Sequence, residues 1–162
     1  MPVLLNILPN VYWMYNNPNA SIPEGDYMIE LRKVQELYSI KTLIELDGAL
    51  AFWNKSNSYI DEIKSEIEKN EFSKLLAIYK KLLEVIKKAY LSNTPMLIST
   101  YKADYVDVGL GVWIYFFHIS AGMTFDNVIK LLGLKVIGAI TMSDTLKKFF
   151  AFLNMNHISG QM

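Results

Sequence analysis

The sequence predicts a mainly α fold: an irregular bundle of five to seven helices, with one small β-hairpin near 97–118 as an open alternative. Three observations point there. Phe72, Leu75, Leu76, Tyr79, Leu82, Leu83, Ile86 and Tyr90 recur at three- and four-residue steps, the spacing that gathers side chains on one helix face. A second run with helical spacing extends from Leu31 to Trp53. The chain of 162 residues is 52% apolar, only 20% charged and free of cysteine, enough apolar material for one sizeable core.

Residues 1–25 are uncharged until Glu24 and rich in proline and asparagine: Pro2, Pro9, Pro18 and Pro23, with Asn16, Asn17 and Asn19. Such a density of proline opposes a continuous helix. The segment also carries Val3, Leu4, Leu5, Ile7, Leu8, Tyr12, Trp13 and Tyr15, too apolar a set for a solvated tail. It is expected to be an apolar arm that packs on its own domain or on a neighbour. Residues 26–162 would then form a single helical domain.

The first long helix is expected over about 26–53, weakened by Gly48. Residues 54–57 read as a turn. Ser58, followed by Asp61, resembles a helix start with an acid in the first turn, and Ile60, Ile63 and Ile67 give that helix its apolar side. Its stripe does not run in register into Phe72, so a break is expected near Asn70. The helix over 72–91 follows. Asn93-Thr94-Pro95 marks a new start, with Thr94 as cap and Pro95 at the first helical position. Residues 96–106 are ambiguous. They either begin a hairpin that returns over Val112–Ile119, or precede a helix over about 108–120 that Gly122 ends; the helix is preferred. Thr124 caps a short helix closed by Gly133, and Ser143 caps a last helix over about 144–155.

Composition restricts the function. Mean hydropathy is +0.18 and net charge is zero, so there is no global attraction to nucleic acid or lipid, and some apolar surface is expected to be covered by copies of the chain or another protein. Charge is nonetheless unevenly placed. Residues 1–31 hold no Lys or Arg, whereas residues 72–102 hold six lysines against Glu84. Arg32 is the single arginine, which disfavours base-specific readout. No basic region precedes the N-terminal apolar stretch, so no secretory signal is expected, and a cytoplasmic or virion location follows. The uncharged run Val108–Phe125 is at the lower margin for a membrane span and reads better as a buried helix.

The candidate binding residues are Lys74, Lys81 and Lys88, on the face of the 72–91 helix opposite its apolar face, with Lys80 and Lys87 on the flank of that face. From Lys74 to Lys88 the row spans about 21 Å, long enough to track several phosphates without sequence preference. Tyr12, Trp13 and Tyr15 are the candidate interface aromatics. Asp104, Asp107 and His118 are the best available acid/base set, but a weak one. With His118 and His157 the only histidines and no cysteine, no metal site or cofactor is expected. Gly109-Leu110-Gly111 lacks the third glycine of a dinucleotide fingerprint. Residues 124–145 faintly suggest a helix-turn-helix, yet Val136–Met142 offers almost nothing to read bases with.

The sequence thus favours a non-enzymatic subunit of a larger homo- or hetero-oligomeric assembly. Apolar contacts would hold it in place, and the lysine face would meet a nucleic-acid backbone, as in a nucleoprotein-complex subunit or a filamentous viral coat subunit. The alternative is a protein-only adaptor or inhibitor whose lysines are merely solvated.

Overall fold

The computed structural model describes residues 2–18, 20–49, 65–102, 106–133, 146–151 and 153. In the N-terminal segment the prolines punctuate strands. Pro2 precedes β1 (Val3–Leu8), Pro9-Asn10 forms the turn, and β2 (Val11–Tyr15) returns antiparallel to β1. Asn10 takes φ 64°, a conformation asparagine tolerates better than most residues. The expected arm is therefore a hairpin inside the fold.

Helix α1 (Glu24–Leu37) begins after Pro23, with Glu24 and Asp26 in its first turn, where carboxylates complement the helix dipole. It does not reach residue 53. Ser39 at φ 53° ends the helical path, and Thr42-Leu43-Ile44-Glu45 becomes strand β3, followed by the short α2 (Leu46–Ala49). Helix α3 (Ser65–Leu91) runs unbroken through Asn70. Asn93-Thr94-Pro95 then leads into strand β4 (Met96–Thr100) instead of starting a helix. Helix α4 (Val106–Ala121) occupies the return segment of the alternative hairpin, so no hairpin forms over 97–118. It ends at Gly122, φ 66°, whose N–H bonds the His118 carbonyl. Helix α5 (Phe125–Gly133) follows; Thr124 Oγ1 accepts the Asn127 N–H at 3.2 Å. Residues 146–151 are helical; the expected Ser58 and Ser143 caps and most of the suggested helix-turn-helix lie outside the described residues.

The strands form one sheet in the order β1-β2-β4-β3, with β4 parallel to both β2 and β3. This corrects the expectation of a mainly α bundle: the chain is an α/β fold with a mixed four-stranded sheet and helices on both faces. Helical spacing misleads here because a strand buried on both sides is also continuously apolar. The register assigns the faces. Val11, Trp13, Tyr15, Met96, Ile98 and Ile44 face α3 and α4 in the larger core, together with Leu75, Tyr79, Leu82 and Ile86. Met14 and Leu97 face α1, where Tyr27 and Leu31 complete a second core. Helix α4 buries Val106, Val108, Leu110 and the whole run Val112–Phe116. Among the described residues no helix is long and apolar enough to cross a membrane.

Candidate functional site

Parallel strands end together, and adjacent strands that lead to helices on opposite faces leave a crevice beyond their carboxyl ends. Here β2 leads into α1 on one face, while its neighbour β4 leads into α4 on the other. A cleft of about 490 Å³ lies at this edge of the sheet, on the α1 side. It is lined by Glu24, Tyr27, Met28, Glu45, Asp47, Ser99, Tyr101 and Lys102.

The register explains this set. Glu45 and Ser99 are partners at the ends of β3 and β4, and Met14 pairs with Ser99 from β2, so all three lie on the α1 side. Tyr101 is two positions beyond Ser99 and keeps to the same side. Glu24, Tyr27 and Met28 are spaced i, i+3, i+4 on the first turns of α1, so they share the helix face turned to the sheet. The β2–α1 loop is clasped by Asn16. Its side-chain amide donates to the Ile22 carbonyl and its oxygen accepts the Ile22 N–H, each at 3.0 Å, while its own N–H extends the β2–β4 pairing to the Thr100 carbonyl.

The floor is polar and tied down. Tyr27 OH donates to the Met14 carbonyl at 3.2 Å and shares a 2.8 Å hydrogen bond with Ser99 Oγ. Burial pushes the Tyr27 phenol well above its ordinary value, so it stays protonated. At the mouth, Asp47 accepts the backbone N–H groups of Tyr101 at 3.1 Å and Lys102 at 2.6 Å. Desolvation raises the Asp47 carboxyl, and those two bonds, with the Lys102 charge, pull against the rise. Asp47 thereby fixes the chain just beyond β4 to the chain just beyond β3. The Tyr27 and Tyr101 rings meet with centroids 5.3 Å apart.

The residues singled out from sequence fall elsewhere. Lys74, Lys80, Lys81, Lys87 and Lys88 are exposed on α3. Glu84 lies among them, three and four positions from Lys81, Lys80, Lys87 and Lys88. Trp13 and Tyr15 are core residues, 0% and 1% exposed; Tyr12 is half-buried and packs on Tyr38. His118 is buried with Nδ1 2.8 Å from the Met123 carbonyl. Asp107 and His118 lie on the same helix α4, about 16 Å apart along its axis. Asp104 lies outside the described residues.

Sequence reasoning missed the cleft because it joins three separated segments. The helix expected over about 26–53 contains Glu45 and Asp47, and within a helix no strand end exists. The signal available was the pattern Thr42-Leu43-Ile44-Glu45-Leu46-Asp47, a β-prone run closing on two acids. No family model, curated protein or solved structure matches this chain, so the reading of both surfaces rests on their own residues.

Proposed function

We propose that this chain is a non-enzymatic subunit of a larger assembly and that the outer side of α3 contacts a nucleic-acid backbone without sequence preference. The observation that carries the reading is the shared exposure of Lys74, Lys80, Lys81, Lys87 and Lys88 on one rigid helix whose opposite side is buried against the sheet. A fixed row of ammonium groups about 21 Å long suits a regularly charged polymer. Because three to five phosphate contacts bind weakly, useful affinity comes from repetition of the subunit along the polymer. Leu91 at the end of the same helix is 77% exposed and Leu37 at the end of α1 is 74% exposed, which supports apolar contacts to neighbouring subunits. A nucleoprotein-complex subunit and a filamentous viral coat subunit are the two forms the proposal takes.

The test is binding of the full chain to a fluorescent single- or double-stranded oligonucleotide across a salt series. Binding that weakens steeply with salt, is indifferent to sequence, and is lost in the Lys74→Glu, Lys81→Glu, Lys88→Glu variant supports the proposal. Unchanged binding in that variant, with the fold intact by circular dichroism, rejects it. Absence of any binding at low salt leaves the protein-only adaptor as the reading, with Leu37 and Leu91 as the residues to substitute first.

A further inference from the structure

The cleft beyond β4 and β3 is separate from the lysine row and has the opposite charge. Among the described residues, its lining carries the carboxylates of Glu24, Glu45 and Asp47 against the single ammonium of Lys102. Both Asp47 oxygens accept backbone N–H groups, so Asp47 shapes the mouth. Glu24, on the first turn of α1, and Glu45, at the exposed end of β3, supply the remaining negative charge. The same lining holds two aromatic rings, Tyr27 and Tyr101, and the Met28 side chain. The volume of about 490 Å³ falls within the range of small-molecule sites, roughly 300–1,000 Å³.

From this lining we infer that the cleft binds an organic cation: an amine or guanidinium carried on a short aliphatic chain. Carboxylates attract the charged head, ring faces attract it through their quadrupoles, and Met28 with the tyrosine rings covers the aliphatic stem. A bare metal ion fits worse. Among the described residues no group of three or more His, Asp or Glu side chains is arranged to hold one. An anionic ligand would meet three carboxylates and one lysine. Tyr27 OH and Ser99 Oγ, bonded to one another at the floor, offer a hydroxyl lone pair to an N–H donor that reaches them.

Isothermal titration of the full chain at low salt provides the test, with butylamine as the amine probe, butylguanidine as the guanidinium probe and citrate as the anionic control. The expected result is saturable one-site binding of butylamine or butylguanidine and none of citrate; which of these equally charged cations binds more tightly assigns the head group. Affinity should fall at least tenfold in the Glu24→Gln, Glu45→Gln double variant and rise in Lys102→Gln, which removes the opposing charge. Failure of both cations to bind, binding unaltered in a folded double variant, or a preference for citrate overturns the inference. Should the double variant not fold, Lys102→Gln decides alone: unchanged or weakened cation binding is then the negative outcome. The Lys74→Glu, Lys81→Glu, Lys88→Glu variant keeps its cation binding, so the two surfaces fail or succeed independently.

Discussion

The indole N–H of Trp13 donates to Thr100 Oγ1 at 3.0 Å, a fully buried bond between residues 87 positions apart. It ties β2 to β4 on the side covered by α4, where a Cβ added at Gly109 would approach the indole to 2.9 Å and Thr100 Oγ1 to 3.0 Å. Thr100→Val keeps the shape of the side chain but strands a buried donor, and should cost about 1–3 kcal/mol in urea unfolding. Thr100→Ser, which keeps the acceptor, should lose distinctly less. Equal losses would mean that the methyl packing matters and the bond does not.

Gly111 faces Tyr79, whose hydroxyl donates to the Val108 carbonyl at 2.7 Å; a Cβ at Gly111 would sit 2.5 Å from that oxygen. Alanine is the better helix former by about 1 kcal/mol, yet the clash should win. Gly111→Ala is expected to destabilise by about 1–3 kcal/mol in the native background. In a Tyr79→Phe background the obstructing oxygen is gone and the nearest atoms lie 3.3 Å and 3.4 Å away, so the same substitution should be neutral or stabilising. A double-mutant cycle from chemical denaturation measures this reversal.

The Asp47 carboxyl is raised by desolvation. A carboxyl raised in the folded chain binds its proton more tightly there than in the unfolded chain. Its contribution therefore favours folding below the unperturbed value of 3.8 and is lost as pH rises through the folded value. Asp47→Asn does not titrate. The stability of the native chain minus that of the variant should fall as pH rises from 3.8 and then level off. A difference that grows over that window would show that the backbone bonds from Tyr101 and Lys102 outweigh burial.

Glu84 stands in the middle of the lysine side of α3, within one helical turn of Lys80, Lys81, Lys87 and Lys88. If that side holds a polyanion, Glu84 opposes it. Glu84→Gln should tighten oligonucleotide binding several-fold at low salt, and the gain should shrink as salt rises. No change at any salt would indicate that the bound polymer does not lie along this helix.

The helix faces were legible from sequence. Leu75, Tyr79, Leu82 and Ile86 are buried and the five lysines are exposed, because a long amphipathic helix writes its orientation into its spacing. The sheet was not. Val11, Trp13 and Tyr15 alternate with Tyr12 and Met14, but in a strand covered on both faces the alternation is apolar against apolar and gives little contrast. Leu43, Leu46 and Leu50 happen to continue a helical spacing from α1, and the break rests on the conformation of Ser39, a residue with no strong preference for positive φ. The cleft needed the strand order, since Glu45 and Ser99 become neighbours only when β4 lies beside β3.

Strand β4 is the last of the four to be synthesised, and it occupies a central place between β2 and β3. A nascent chain emerging from the ribosome can close the β1–β2 hairpin early, but β2 and β3 have no strand to bridge them until Met96–Thr100 is exposed. Closing loops of this length precedes any reward from the contacts they bring, so sheet completion comes late in folding. Until then Trp13, Tyr15 and Ile44 are without their β4 partners. Those apolar strands are where chaperone capture or misassembly with another emerging copy would act.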